Sequence, residues 1–160
     1  MKKTILFVSA LVCLLNSCKK EETAPTTPET PISYSNFKIT SVKINKIPFT
    51  DANGSSWDIS SGPDVYFKLT DKNDTEYTKG TQYNDVLSSN LPFGWNFTKA
   101  FEINNLNTTF FVEIYDHDDI DSDDLIGIVG FNASYFTNGY PTSIPLSYSG
   151  CDIVINGTWY

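Results

Sequence analysis

The stretch VEIYDHDDIDSDDLIG, Val112–Gly127, decides how this chain folds. Val112 and Ile114 alternate with polar neighbours, and Leu125 and Ile126 resume the apolar pattern after an acidic interruption. Six of the nine residues Asp116–Asp124 are aspartate. Aspartate is depleted in strands and favoured in loops, so the stretch predicts two strands joined by an acidic loop. Such a loop is often only a solvated connection. Here the crowding has a cost: two like charges about 4 Å apart repel by roughly 1 kcal/mol in bulk water and about 4 kcal/mol at an effective dielectric near 20. A bound cation relieves that repulsion. Oxygen-only donors suit Ca²⁺, which takes about 6–8 oxygens in tolerant geometry.

The same alternation runs outward from this hairpin. NFKITSVKI carries Phe37 and Ile39, then Val42 and Ile44, and the one-residue slip between the pairs predicts a bulge. DVYFKLT places Val65, Phe67 and Leu69 on one face, and TTFFVEIY does the same with Phe110, Val112 and Ile114. WNFTKAFEI alternates Trp95, Phe97, Phe101 and Ile103, while TEYTKGTQY reads as a weaker, polar strand. DLIGIVGF is apolar on both faces, which predicts a central strand. TSIPLS and CDIVINGTWY close the chain, the latter with Cys151, Ile153, Ile155 and Trp159 sharing a face. No long window carries a helical period, and NASYFTNGY has room for one short turn. About eight short strands separated by Gly, Pro, Asn and Asp clusters predict an all-β, eight-stranded antiparallel β-sandwich.

The first residues belong to a different kind of segment. MKK is a basic start, TILFVSALVCLL is an apolar run of 12, and LLNSC follows. The run is short for a membrane span. LLNSC resembles the lipobox of bacterial lipoproteins, with Leu15, small Ser17 and Cys18 as acceptor. The resemblance implies cleavage after residue 17 and a diacylglyceryl anchor on Cys18. The Pro- and Thr-rich segment 18–32 then reads as a tether, whose 13 residues KKEETAPTTPETP span roughly 40 Å when extended. KKEE directly after Cys18 resembles the export tag that sends some bacterial lipoproteins to the cell surface. The expected organisation is a signal peptide at 1–17, a tether at 18–32 and a domain at 33–160. The expected location is the outer membrane, with the domain facing either the cell surface, as the export-tag likeness implies, or the periplasm.

Composition removes other classes. The formal net charge is −8, and all 11 basic residues are lysine. Without a basic patch, nucleic acid is not an expected partner. Cys151 stands alone in the domain, which predicts a buried thiol rather than a disulfide. His117 is the only histidine, and it does not suffice to assemble a catalytic triad. It is expected to face solvent.

A second acidic loop, DANGSSWDISSGPD, carries Asp51, Asp58 and Asp64. An EF-hand does not fit the first loop: starting at Asp119, Asp124 falls where Gly is required and Gly130 where Glu is required. VEIYDHDDIDSDDLIG instead resembles the third calcium-binding loop of C2 domains, with Asp116, Asp118 and Asp124 at the matching positions. DISSGPDVYFKL resembles the first calcium loop, with Asp58 and Asp64 at the family's spacing. GWNFTKAFEI and GCDIVINGTWY resemble the family's Trp-Asn strand and last strand, so the likeness extends over 36–160. The resemblance implies two or three Ca²⁺ ions shared by Asp58, Asp64, Asp116, Asp118 and Asp124, with Asp121 as an extra ligand. Ile59 and Ile120 match membrane-contacting loop tips. Asp119 and Asp123 are expected to be solvated. The family's lysine-rich strand corresponds to TEYTKGTQY, which holds only Lys79.

The implied function is calcium-dependent binding to anionic membrane lipid or to a partner protein, with no chemistry performed. Three alternatives stand beside it. In the first, calcium only staples the loops of an adhesion or structural domain. In the second, the acidic cup holds metals for phosphoester hydrolysis. In the third, Trp57, Phe93 and Trp95 form a carbohydrate platform.

Overall fold

In the computed structural model, which describes residues 32–58, 61–120 and 122–160, the predicted alternation becomes eight strands. They are β1 (Phe37–Lys46), β2 (Val65–Asp71), β3 (Glu76–Lys79), β4 (Phe93–Ile103), β5 (Thr109–Asp116), β6 (Asp124–Asn132), β7 (Ser143–Tyr148) and β8 (Cys151–Trp159). They form two four-stranded sheets, ordered β4-β1-β8-β7 and β3-β2-β5-β6, and every pairing between neighbours is antiparallel. The expected signal peptide, Cys18 and nearly all of the expected tether lie outside the described residues.

The inward faces build one core. β1 contributes Phe37, Ile39, Val42 and Ile44, and its ladders to β4 and β8 shift between Ile39 and Ser41. That irregularity is the predicted bulge, and it keeps all four residues inward. β2 and β5 add Val65, Phe67, Leu69, Val112 and Ile114. Cys151, Ile153, Ile155 and Trp159 are all buried, as the period of two requires. Burial raises the Cys151 thiol to about 11. NASYFTNGY supplies a single short turn, Ala133–Phe136, capped by the Asn132 side chain accepting from the Ser134 amide.

One expectation is corrected. DLIGIVGF is not central: β6 pairs only with β5 and forms the edge of its sheet. Its two-sided apolarity has another cause. The β5–β6 ladder slips between Ile114 and Tyr115, so Ile126 as well as Val129 and Phe131 becomes buried. Gly127 sits against Cys151, and a Cβ placed there would collide with the Cys151 Sγ. Leu125 remains 49% exposed. The polar strand TEYTKGTQY is also short, with only Glu76–Lys79 in the sheet.

Strand direction brings three loops together. Val65 opens β2, pairs with Asp116 at the end of β5, and bridges Tyr83 in the loop after β3. Asp116 in turn faces Asp124 across the β5–β6 hairpin. The segments before β2, between β3 and β4, and between β5 and β6 therefore meet at one end of the sandwich. Gly62 permits the closest approach, because a Cβ there would overlap the Val86 carbonyl oxygen.

Candidate metal centre

Asp116 lies at the middle of that end. The last residue of β5, it is only 1% exposed. Its Oδ1 accepts from the Asp64 amide at 2.5 Å, and the His117 amide donates to the Asp64 carbonyl at 2.9 Å. These two bonds fasten the acidic loop to the strand entry that carries Asp64. Burial pushes the Asp116 carboxyl up to about 6, the Asp64 amide partly offsets this, and the charges of Asp58, Asp118 and Asp64 raise it further. Four of the predicted ligands are thus within electrostatic reach of one another. Asp124 joins them through its pairing with Asp116 and is exposed.

The carboxylates do not close on a single point. Among the described residues, no three His, Cys, Asp or Glu groups converge closely enough to hold an ion. Asp64 explains part of this. Its Oδ1 accepts from the Asp85 amide at 2.8 Å and its Oδ2 from the Gln82 side chain at 2.9 Å. Asp121 and Ile59 lie outside the described residues. The donor set nevertheless suits a hard cation. It is all oxygen, its most buried member is surrounded by like charge, and among the described residues no lysine pairs with Asp58, Asp64, Asp116 or Asp124.

Other residues of the loop divide by environment. Asp119 is 98% exposed at its side chain and Ile120 is 94% exposed, as expected for the tip. Asp123 is not solvated, contrary to expectation. It accepts from the Tyr66 hydroxyl, from His117 Nδ1 at 2.8 Å and from the Asp118 amide at 3.3 Å. The Tyr66 hydroxyl is the largest cause holding its carboxyl down at about 2, with His117 helping and burial opposing. His117 is likewise not a free solvent-facing side chain: it is one-third exposed and bound to Asp123. Asp51 serves its own turn, accepting from the amides of Asn53 and Ser55 at 2.8 Å each.

Tyr66 was not readable as part of this site. The period of two assigns it only to the outer face of β2, and its meeting with Asp123 depends on the hairpin that brings the far end of the loop back. Gln82 and Asp85 come from a third loop with no sequence link to Asp64. The carbohydrate platform is not formed by Trp57, Phe93 and Trp95 together. Trp95 is 8% exposed with its indole N–H on the Thr81 carbonyl at 2.6 Å, and the Trp57 N–H is bound to the Pro48 carbonyl at 2.9 Å.

Comparison with known proteins agrees with this architecture. The C2 domain family model matches residues 36–146. A comparison with curated proteins returns no match. A solved structure described as a C2 domain superposes with a TM-score of 0.51 at 14% identity, covering 78% of this chain and 96% of that one. A calcium-bound structure of the paired C2 domains of Extended-Synaptotagmin 2 gives 0.54 at 14% identity, covering 81% of this chain and 47% of that one. Human GIVD cytosolic phospholipase A2 gives 0.53 at 16% identity, covering 80% of this chain and 18% of that one. At these identities the likeness is one of fold, and this chain spans only a fraction of the last two proteins. With the family model covering most of the sandwich, the chain belongs to the C2 domain family.

Proposed function

We propose that this protein is a calcium-binding module of a membrane-anchored lipoprotein, which uses Ca²⁺ to bind anionic lipid or a partner protein. Asp58, Asp64, Asp116, Asp118 and Asp124, with Asp121 as an extra ligand, would hold two or three ions. The observation that carries this reading is Asp116: a buried carboxylate, hydrogen-bonded to the neighbouring loop, within electrostatic reach of three further aspartates. Bound calcium supplies positive charge to that cup and open coordination positions for anionic oxygens. The exposed Ile120 supports a membrane-facing tip, with Ile59 as its proposed neighbour. Lipidation at Cys18 and an outer-membrane, surface-facing location are supported by the residues around that cysteine. The module itself performs no chemistry, and its affinity is expected in the range of about 10⁻⁴–10⁻³ M typical of extracellular calcium modules.

The alternative is a structural calcium that staples the loops without lipid binding. The bonds joining Asp64 to Asp116 and His117 favour it, because an ion on Asp116 tightens an existing seam. Pelleting of the Ser33–Tyr160 domain with anionic liposomes at millimolar calcium separates the two. Calcium-dependent pelleting supports the docking module, whereas a higher melting temperature with no pelleting supports the staple.

A further inference from the structure

Asp123 differs from its neighbours in what surrounds it. A carboxylate has about four lone-pair sites for donors. On Asp123, Oδ1 takes His117 Nδ1 at 2.8 Å and the Asp118 amide at 3.3 Å, and Oδ2 takes the Tyr66 hydroxyl. Because a carboxylate only accepts, the shared proton of the imidazole sits on Nδ1. The three donors come from two places: the first two residues of the loop, and strand β2. Asp123 therefore closes the loop on itself and ties it to the sheet.

The anchor is itself immobilised. Tyr66 is 1% exposed. Its ring stacks on Tyr115 with centroids 5.4 Å apart, meets His117 edge-on at 6.3 Å, and lies 3.8 Å from the Lys79 ammonium. Without such a tie, six like charges in nine residues would spread the loop. The tie acts on the segment that places Asp116, Asp118 and Asp124.

We propose that Asp123 is not an ion ligand but a positioning residue, and that the Tyr66–Asp123–His117 brace pre-shapes the acidic loop for its ions. This rests on the calcium reading above for its purpose, but not for its geometry. A preformed loop loses less conformational entropy when the ion arrives.

Tyr66→Phe tests the brace, since it removes one hydroxyl and keeps the ring. Amide hydrogen exchange of the full chain in detergent and chelator is the first measurement. The brace predicts exchange of residues 117–124 faster by on the order of tenfold, with β8 unchanged. Unchanged exchange in the loop overturns it, whether or not the protein binds calcium. Faster exchange everywhere also overturns it, because Tyr66 is then only a general stabiliser. Calcium titration is the second measurement. Tyr66→Phe and Asp123→Ala are expected to weaken binding by on the order of tenfold with the number of ions unchanged. Loss of one ion in Asp123→Ala makes Asp123 a ligand and sinks the proposal. Absence of calcium binding in the unaltered protein defeats the calcium reading instead, and the exchange result then decides the brace alone.

Discussion

At the scale of single residues, Asp116 sets the behaviour of the ion-free protein. Its carboxyl is raised from the ordinary value of 3.8 to about 6, so the folded state holds that proton more tightly than the unfolded state does. The stability this contributes is full below pH 3.8 and is lost as pH rises through 6. Asp123 has the opposite sign. Its carboxyl falls from 3.8 to about 2, so its contribution is present above pH 3.8 and lost only in strong acid. Between about pH 4 and 7 the ion-free domain should therefore melt at progressively lower temperature, as thermal scans in chelator would record. Asp116→Asn keeps the acceptor for the Asp64 amide and removes the charge. It is expected to flatten that slope and raise the ion-free melting temperature at neutral pH by about 4 °C, the scale of about 1 kcal/mol in a domain of this size. A steeper slope in the variant would show that another group controls the titration.

The same scale shows what a sequence can disclose. That Asp116, Asp118 and Asp124 fall on one hairpin was legible, because their spacing is fixed along it. The roles of Asp123 and His117 were not, since two identical aspartates side by side differ only in which way the loop turns them. Asp123 turns toward Tyr66, 57 residues earlier in the chain, while Asp124 stays exposed at the start of β6.

At the scale of elements, the alternation of apolar residues specified the strands well. The β1 bulge, the buried face of β8 and the single turn at Ala133–Phe136 all follow from local pattern. The position of β6 did not. A strand apolar on both faces reads as central, but here the ladder slip near Tyr115 and the contact of Gly127 with Cys151 account for that apolarity at a sheet edge. This packing makes a direct prediction. Gly127→Ala should destabilise the fold by about 1–3 kcal/mol through overpacking against the thiol. Cys151→Ala in the same chain should recover part of that cost, a coupling that chemical denaturation of the four cycle members would measure. Additive costs would mean that the two residues do not press on each other.

At the scale of the whole molecule, the acidic cup and the net charge of −8 act together. An anionic surface repels this protein until cations intervene. Binding to anionic vesicles is therefore expected to require millimolar calcium, to weaken as salt is raised, and to drop several-fold in Ile120→Asp, which places a charge at the exposed tip. Co-sedimentation across salt concentrations would check all three. Sequence spacing identified both acidic loops, but only the sandwich shows why they meet: Val65 pairs with Asp116, and that pairing carries Asp64 to the buried carboxylate. The central claim is that this seam binds calcium. Isothermal titration calorimetry of the Ser33–Tyr160 domain with calcium tests it most directly. The account predicts saturable binding with a dissociation constant of about 10⁻⁴–10⁻³ M, abolished when Asp116→Asn and Asp118→Asn are combined. No binding heat at millimolar calcium, or equal binding by the double variant, would contradict it.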